Sequence, residues 1–216
     1  MLPPGWWSWQ EDALSGSPGH DRHHAYWQQE EPGMRKIICS TYISLDGVIE
    51  DPAWTMPYFD DEASAFAGEQ TDSADALLMG RRTYEGFAAA WPNQDESDPS
   101  TGAAYFNNVK KYVASTTLTG PEWKNSEVLQ GDLVEAVTRL KAQEGRDILM
   151  YGYGTVTHTL VKAGLVDEVR FWITPVFVGG PSISSPLDDV ATTLTLAGTK
   201  VMKSGVIIAT YTPAAQ

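Results

Sequence analysis

Residues 76–85 read ALLMGRRTYE, so two arginines and a threonine follow a glycine at the end of an apolar stretch. Gly80 leaves room for a ligand near the backbone. A helix beginning there offers unpaired N–H groups and a partial positive charge, which together favour an anion. Arg81 and Arg82 add charge-assisted hydrogen bonds and Thr83 adds a hydroxyl, a set suited to phosphate. The competing reading pairs the arginines with surface acids and uses Thr83 as a helix cap. A second corner, DILMYGYGTVTH at residues 147–158, places Gly152 and Gly154 between a strand and a helix, with Thr155 and Thr157 behind them. It lacks the third glycine of the nucleotide-binding fingerprint and falls late in the chain, so plain turn glycines also explain it. In KKYVASTTL, Ser115 and Thr116 follow a strand, where hydroxyls contact a phosphate or a ribose or simply make a turn. Two phosphate-suited corners on one sheet are more telling than either alone.

These corners need strands ahead of them and helices behind. KIICSTYISLDG is β-branched and apolar and ends in the turn pair Asp46-Gly47. A polar, aromatic loop follows, then a helix over residues 60–71. DALLMG reads as a buried strand, RRTYEGFAAAW as a helix stopped by Pro92, and KKYVAST and SEVLQ as strands. GDLVEAVTRLKAQEG is the clearest helix: Asp132 caps it, Glu135 sits three residues on, Leu133, Val137 and Leu140 line one face, and Gly145 closes it. DILMYG is a strand, residues 155–163 a helix and EVRFWITPVFVGG a long strand. TLTLAGTKVMKSGVIIATYTP makes two strands around a turn near Ser204-Gly205. Strands alternating with single helices imply right-handed crossovers and one α/β domain with a mostly parallel sheet, to which the terminal hairpin adds a mixed edge.

Residues 1–33 differ, mixing Pro, Gly, Ser, charges and clustered aromatics without period; they read as a flexible extension before a domain at 34–216. Met34 opens the strand pattern directly, so translation starting there would keep all of it. His20, His23 and His24 lack a carboxylate or cysteine to complete a metal set and are expected to be solvent-exposed; no metal site is expected. The net charge of −13 and pI of about 4.6 argue against a nucleic-acid binder or a protein that coats anionic membranes. Against that background, paired arginines carry more information. No apolar run reaches bilayer length, and the N-terminus does not read as a secretory signal. Cys39, the single cysteine, sits in an apolar run as a small buried residue and fits a reducing cytoplasm, the expected location.

The segments STYISLDGVIE, ALLMGRRTYEGF, KYVAST and ILMYGYGTVTHTLVKAGLVDEVRFWITPVFVGG, in this order and spacing, resemble the dihydrofolate reductase superfamily. Within it the likeness is to the bacterial branch related to the reductase domain of the riboflavin-biosynthesis deaminase-reductase, over about residues 34 to 212. The resemblance implies a three-layer fold around a sheet of about eight strands, and a reductase that binds NADPH. Carried over by position, Gly80, Arg81, Arg82 and Thr83 would hold the pyrophosphate and 2′-phosphate, and Ser115 and Thr116 would lie near the adenosine. Tyr151, Gly152, Tyr153, Gly154, Thr155 and Val156 would flank the pyrophosphate and nicotinamide. Ser44, Leu45, Asp46, Gly47 and Val48 would cover the nicotinamide ring.

The departures shape the expected chemistry. The family acid on the first helix has no counterpart in register; Asp60, Asp61 and Glu62 cluster nearby, and Asp60 or Asp61 is the candidate proton relay. An acidic cluster at a helix start also serves simply to complement its dipole. Tyr153 interrupts the paired glycine, and Pro175 beside Thr174 is unlike dihydrofolate reductase, so folate is not the expected substrate. Trp54, Tyr58, Phe59, Trp91, Tyr151 and Tyr153 would stack on a flat heterocycle or pack as core and rim. His158 is expected to pack or face solvent rather than catalyse. The zinc-deaminase signature is missing. The expectation is an NADPH-dependent reductase of a small pteridine- or pyrimidine-like or carbonyl compound, without nucleic-acid or membrane partners. The alternative is a ligand-binding protein that keeps the fold without turnover. The apolar strand VRFWITPVFVGG and the terminal hairpin suit burial against a second copy, a homodimer.

Overall fold

Strand β1 (Ile37–Ser44) lacks apolar–polar alternation because helices cover the sheet on both sides: Ile37 and Cys39 join one core layer and Ile38 the other. The computed structural model describes residues 34–98, 101–179 and 192–214. The expected extension at 1–33, with His20, His23 and His24, lies outside the described residues. The remaining strands are β2 (Ala74–Gly80), β3 (Lys110–Ala114), β4 (Ser126–Val128), β5 (Asp147–Tyr151), β6 (Glu168–Thr174), β7 (Leu194–Val201) and β8 (Ile207–Pro213). The helices are α1 (Asp61–Asp72), α2 (Arg81–Ala90), α3 (Ala103–Asn108), α4 (Leu133–Lys141) and α5 (Thr155–Lys162).

The sheet order is β4-β3-β2-β5-β1-β6-β8-β7. All neighbours from β4 to β6 pair in parallel, and β8 is antiparallel to both β6 and β7, so β8 alone runs against the rest. Val137 and Leu140 of α4 and Leu160 of α5 pack with Leu78, Ile148 and Met150 on one face. On the other, Tyr84 of α2 and Phe106 of α3 pack on Leu77, Met79 and Leu149, and Ala63 of α1 on Trp172 and Ile208. Each fully buried Leu or Ile in these layers contributes about 1.5–3 kcal/mol.

Asp132 caps α4 as expected, its carboxylate accepting from Glu135 N at 3.1 Å. The helix ends at Lys141, however, and Gly145 lies beyond it with φ 152°, against Asp75; a methyl group there would meet Asp75 Oδ2 at 2.8 Å. The long strand read through residue 180 stops at Thr174, because Pro175 has no amide to continue the ladder and Val176 N turns back onto Thr174 O at 2.8 Å. The aromatic loop after β1 holds a 3₁₀ helix, Pro52–Tyr58, and α3 fills a stretch where no element was expected. Of the hairpin suited to a second copy, β8 joins the core through Ile208 while the outer strand β7 is solvent-exposed, with Leu196 and Val201 bare.

Candidate functional site

The carboxyl ends of β2 and β5 lie side by side. Leu78 pairs with Met150, and two residues later each strand reaches its glycine, Gly80 and Gly152. In an open α/β sheet this edge is where ligands collect. The two corners lie close together: a methyl group at Gly152 would sit 3.5 Å from Thr83 Oγ1, and one at Gly80 would sit 3.3 Å from Val156 Cγ2. Gly152 has φ 78°, a backbone state that a side chain would strain.

The helix starts differ in one respect. Asp60 caps α1, accepting from Ala63 N at 2.9 Å, and Asp132 caps α4. At α2 and α5 the N-cap residues are Gly80 and Gly154, and neither start has a side-chain cap. Those are the two helices that begin at the paired glycine corners. Their first amides therefore lie at the carboxyl edge of the sheet without a side-chain partner from the cap, the arrangement that binds phosphate oxygens.

Arg81 Nε donates to Glu85 at 2.7 Å and its Nη1 to Thr117 Oγ1 at 2.8 Å. Arg82 Nη1 reaches Glu50 Oε1 at 3.5 Å, with a side chain 88% exposed. The arginines thus hold surface acids, as the competing reading has it, while standing at the start of α2. Exposed pairs of this kind are worth about 0–1 kcal/mol, so an incoming phosphate exchanges them cheaply. Ser115 Oγ accepts from Thr117 N and Leu118 N, making a turn that sets Thr117 in front of Arg81, and Thr116 is exposed.

The loop after β1 is tied down from within. Ser44 Oγ accepts from Val48 N at 2.8 Å and donates to Asp46 Oδ1 at 2.5 Å. Asp46 in turn accepts from Val178 N at 3.1 Å and Gly179 N at 2.7 Å, and Leu45 N donates to Val176 O at 2.9 Å. The Ser44 hydroxyl and these amides hold the Asp46 carboxyl down at about 2. The latch joins the loops that leave β1 and β6, strands whose ends pair as Ser44 with Thr174. Ser44, Leu45 and Gly47 also line an apolar cleft of about 370 Å³ with Ile43, Phe171 and Tyr211. A larger cleft, about 790 Å³, lies on the outer side of α2 between Tyr84 and Lys124; none of the expected site residues lines it.

The aromatics do not form one stacking platform. Trp91 and Tyr151 pack with Phe106 and Phe87, Phe59 packs on Trp172, and Tyr153 joins Phe171 and His158 on the opposite core layer. Burial raises the Tyr153 phenol to about 12 and the Tyr151 phenol further. Asp60 is half-buried in its capping role, and Asp61 is exposed in the first turn of α1. Glu50, Thr117 and the amides of Val178 and Gly179 were not singled out from the sequence, because only the fold brings their loops together.

A mostly parallel, eight-stranded sheet with helices on both faces and a hairpin at one edge is the dihydrofolate-reductase-like fold. The model of the RibD C-terminal domain matches residues 35–208, and the chain belongs to that family. The uncharacterized protein YyaP of Bacillus subtilis (strain 168) is 30% identical over 185 residues, 82% of this chain and 95% of YyaP. A Shewanella sp. PV-4 protein superposes with TM-score 0.61 at 20% identity, over 83% of this chain and 99% of the other. A pyrimidine reductase-like protein from Corynebacterium diphtheriae gives 0.57 at 16%, over 84% and 93%. A diaminohydroxyphosphoribosylaminopyrimidine deaminase/5-amino-6-(5-phosphoribosylamino)uracil reductase from Thermotoga maritima gives 0.57 at 16%; the match spans 84% of this chain but 57% of that one.

Proposed function

We propose that this protein is an NADPH-dependent reductase that delivers hydride to a small heterocyclic (pteridine- or pyrimidine-like) or carbonyl substrate. One observation carries the reading: the uncapped starts of α2 and α5 meet over adjacent strand ends, beside two exposed arginines. Gly80, Thr83 and the first amides of both helices would hold the pyrophosphate. Arg81 and Arg82 would pair with the 2′-phosphate, with Ser115 and Thr116 toward the adenosine. Gly152, Tyr153, Gly154, Thr155, Val156 and the latched loop Ser44–Val48 would frame the nicotinamide. NADPH, when bound, supplies the hydride; the chain supplies position and electrostatics. Membership of the RibD C-terminal domain family and the reductase names of two structural neighbours support the reading.

Fluorescence titration with NADPH and NADH tests it. NADPH binds more tightly to the native chain, and Arg81→Ala removes most of that preference, on the order of 1–3 kcal/mol for a charge-assisted contact. Equal affinity for the two nucleotides in the native chain defeats the assignment. Asp60 serves as a helix cap, which favours the reading without turnover as the alternative. NADPH binding with no oxidation against a panel of pterins, pyrimidines and dicarbonyls would establish that alternative.

A further inference from the structure

The cations and the apolar surface of the carboxyl edge lie on different strands. Arg81 and Arg82 stand after β2. Beyond the ends of β1 and β6, three segments converge: the loop after β1, the 3₁₀ helix Pro52–Tyr58 and residues 175–179. Leu45 N bonds Val176 O, Tyr58 Oη donates to Pro175 O at 3.4 Å, and Phe59 stacks on Trp172 with centroids 6.3 Å apart. Their exposed side chains include several large apolar ones, Leu45, Met56, Phe59, Phe177 and Val178, with Met56 69% and Phe177 75% exposed. Apolar side chains left bare in one place mark a binding surface rather than chance exposure.

The charge on these segments is mostly negative. The sequence has no lysine or arginine between Lys36 and Arg81, nor between Arg170 and Lys200. Glu50 and Asp51 lie on the converging segments, and Asp60 and Asp61 follow at the start of α1. The cations nearest in the fold are engaged: Arg82 with Glu50 at 3.5 Å, Lys203 with Glu62 at 3.3 Å, and Lys200 over the Phe66 ring at 4.9 Å. Arg170, farther back on β6, is held by Glu168 and Gln70. A phosphate monoester entering here would meet more carboxylates than cations: among the described residues the nearest cations are already paired, and Arg82 is the one proposed to hold the cofactor's 2′-phosphate, in a chain whose net charge is −13.

We infer that the substrate bound at this mouth carries no phosphate: it is a flat, apolar heterocycle or carbonyl compound, neutral or cationic. This rests on the reductase reading and narrows it, setting the chain apart from an enzyme for a phosphoribosylated pyrimidine such as the one named for the Thermotoga maritima neighbour.

Calorimetry on the full chain, with and without saturating NADP⁺, tests it using pairs that differ only by a phosphate. The pairs are riboflavin against flavin mononucleotide, and 5-amino-6-ribosylaminouracil against its 5′-phosphate. In low salt the unphosphorylated member binds roughly tenfold or more tightly, as repulsion by several carboxylates dictates. Met56→Lys narrows that gap by supplying the missing cation. Equal or tighter binding of the phosphorylated member in either pair, or no binding by any of the four, overturns the inference. NADPH titration without a second ligand reads the glycine corners alone, so failure of the cofactor reading shows up separately.

Discussion

Asp60 caps α1 and is the proposed proton relay, two roles that a single substitution separates. Asparagine caps helices about as well as aspartate but holds no transferable proton. Asp60→Asn should therefore leave the thermal unfolding midpoint of the chain nearly unchanged. If Asp60 relays the proton, the same change lowers kcat about 100-fold or more with NADPH affinity retained, whereas Asp61→Asn does neither. Equal kcat for native and Asp60→Asn chains removes Asp60 from the chemistry. Lys111 shows what a buried charge does here without a carboxylate. Its Nζ donates to Asn107 O at 3.1 Å, Val109 O at 2.9 Å and Lys124 O at 3.1 Å, and lies 4.1 Å from the Trp123 ring centroid. Burial pulls the ammonium down to about 8, while three carbonyls and an aromatic face hold the proton on. Lys111→Met strands those carbonyls and should cost on the order of 3 kcal/mol in urea unfolding; a change under about 1 kcal/mol would mean water reaches them.

Between elements, the Asp46 latch is the contact that sets one loop against another. Its carboxyl is held at about 2 in the folded chain, against about 3.9 when unfolded. A depressed folded value contributes stability above the unfolded value, and that contribution is lost as pH falls through about 2. The stability gap between the native chain and Asp46→Asn should therefore shrink from pH 5 toward pH 2. Amide exchange at Val178 and Gly179 should quicken in the variant at neutral pH. A constant gap, or unchanged exchange, would show that the amides are held by something else. The latch was half visible in the sequence. Asp46-Gly47 read as a turn, but the partner amides lie more than a hundred residues away, and strand pairing alone brings them near.

At the scale of the whole molecule, sheet order divides the carboxyl edge into a cationic end past β2 and an acidic, apolar end past β1 and β6, with the β5 glycine corner between them. A dinucleotide laid across that edge would carry its phosphates to the first and its nicotinamide toward the second. Cys39 reports on the integrity of this assembly. It is fully buried on β1, near the middle of the sheet, and burial pushes its thiol up to about 12. A thiol reagent should label it only through opening of the sheet. If NADPH binds the closed form, labelling slows about 100-fold at a nucleotide concentration 100 times Kd. Labelling that ignores NADPH would place the nucleotide off this sheet or show that opening is local.

Patterns that repeat along the chain were legible from composition and period alone: buried strands, amphipathic helices, the Asp132 cap, the terminal hairpin and the glycine corners all arise from neighbours a few residues apart. Strand ends and short elements were less so. Pro175 cut β6 short of its apolar run, and α3 is too short to show a period. What tertiary structure alone decided is which corners meet. The approach of Thr83 to Gly152, the anchoring of Arg81 on Thr117 and the closing of Asp46 on Gly179 depend on strand order. Strand order is set by how both faces of the sheet bury their side chains at once, a condition on the whole chain rather than on any stretch of it.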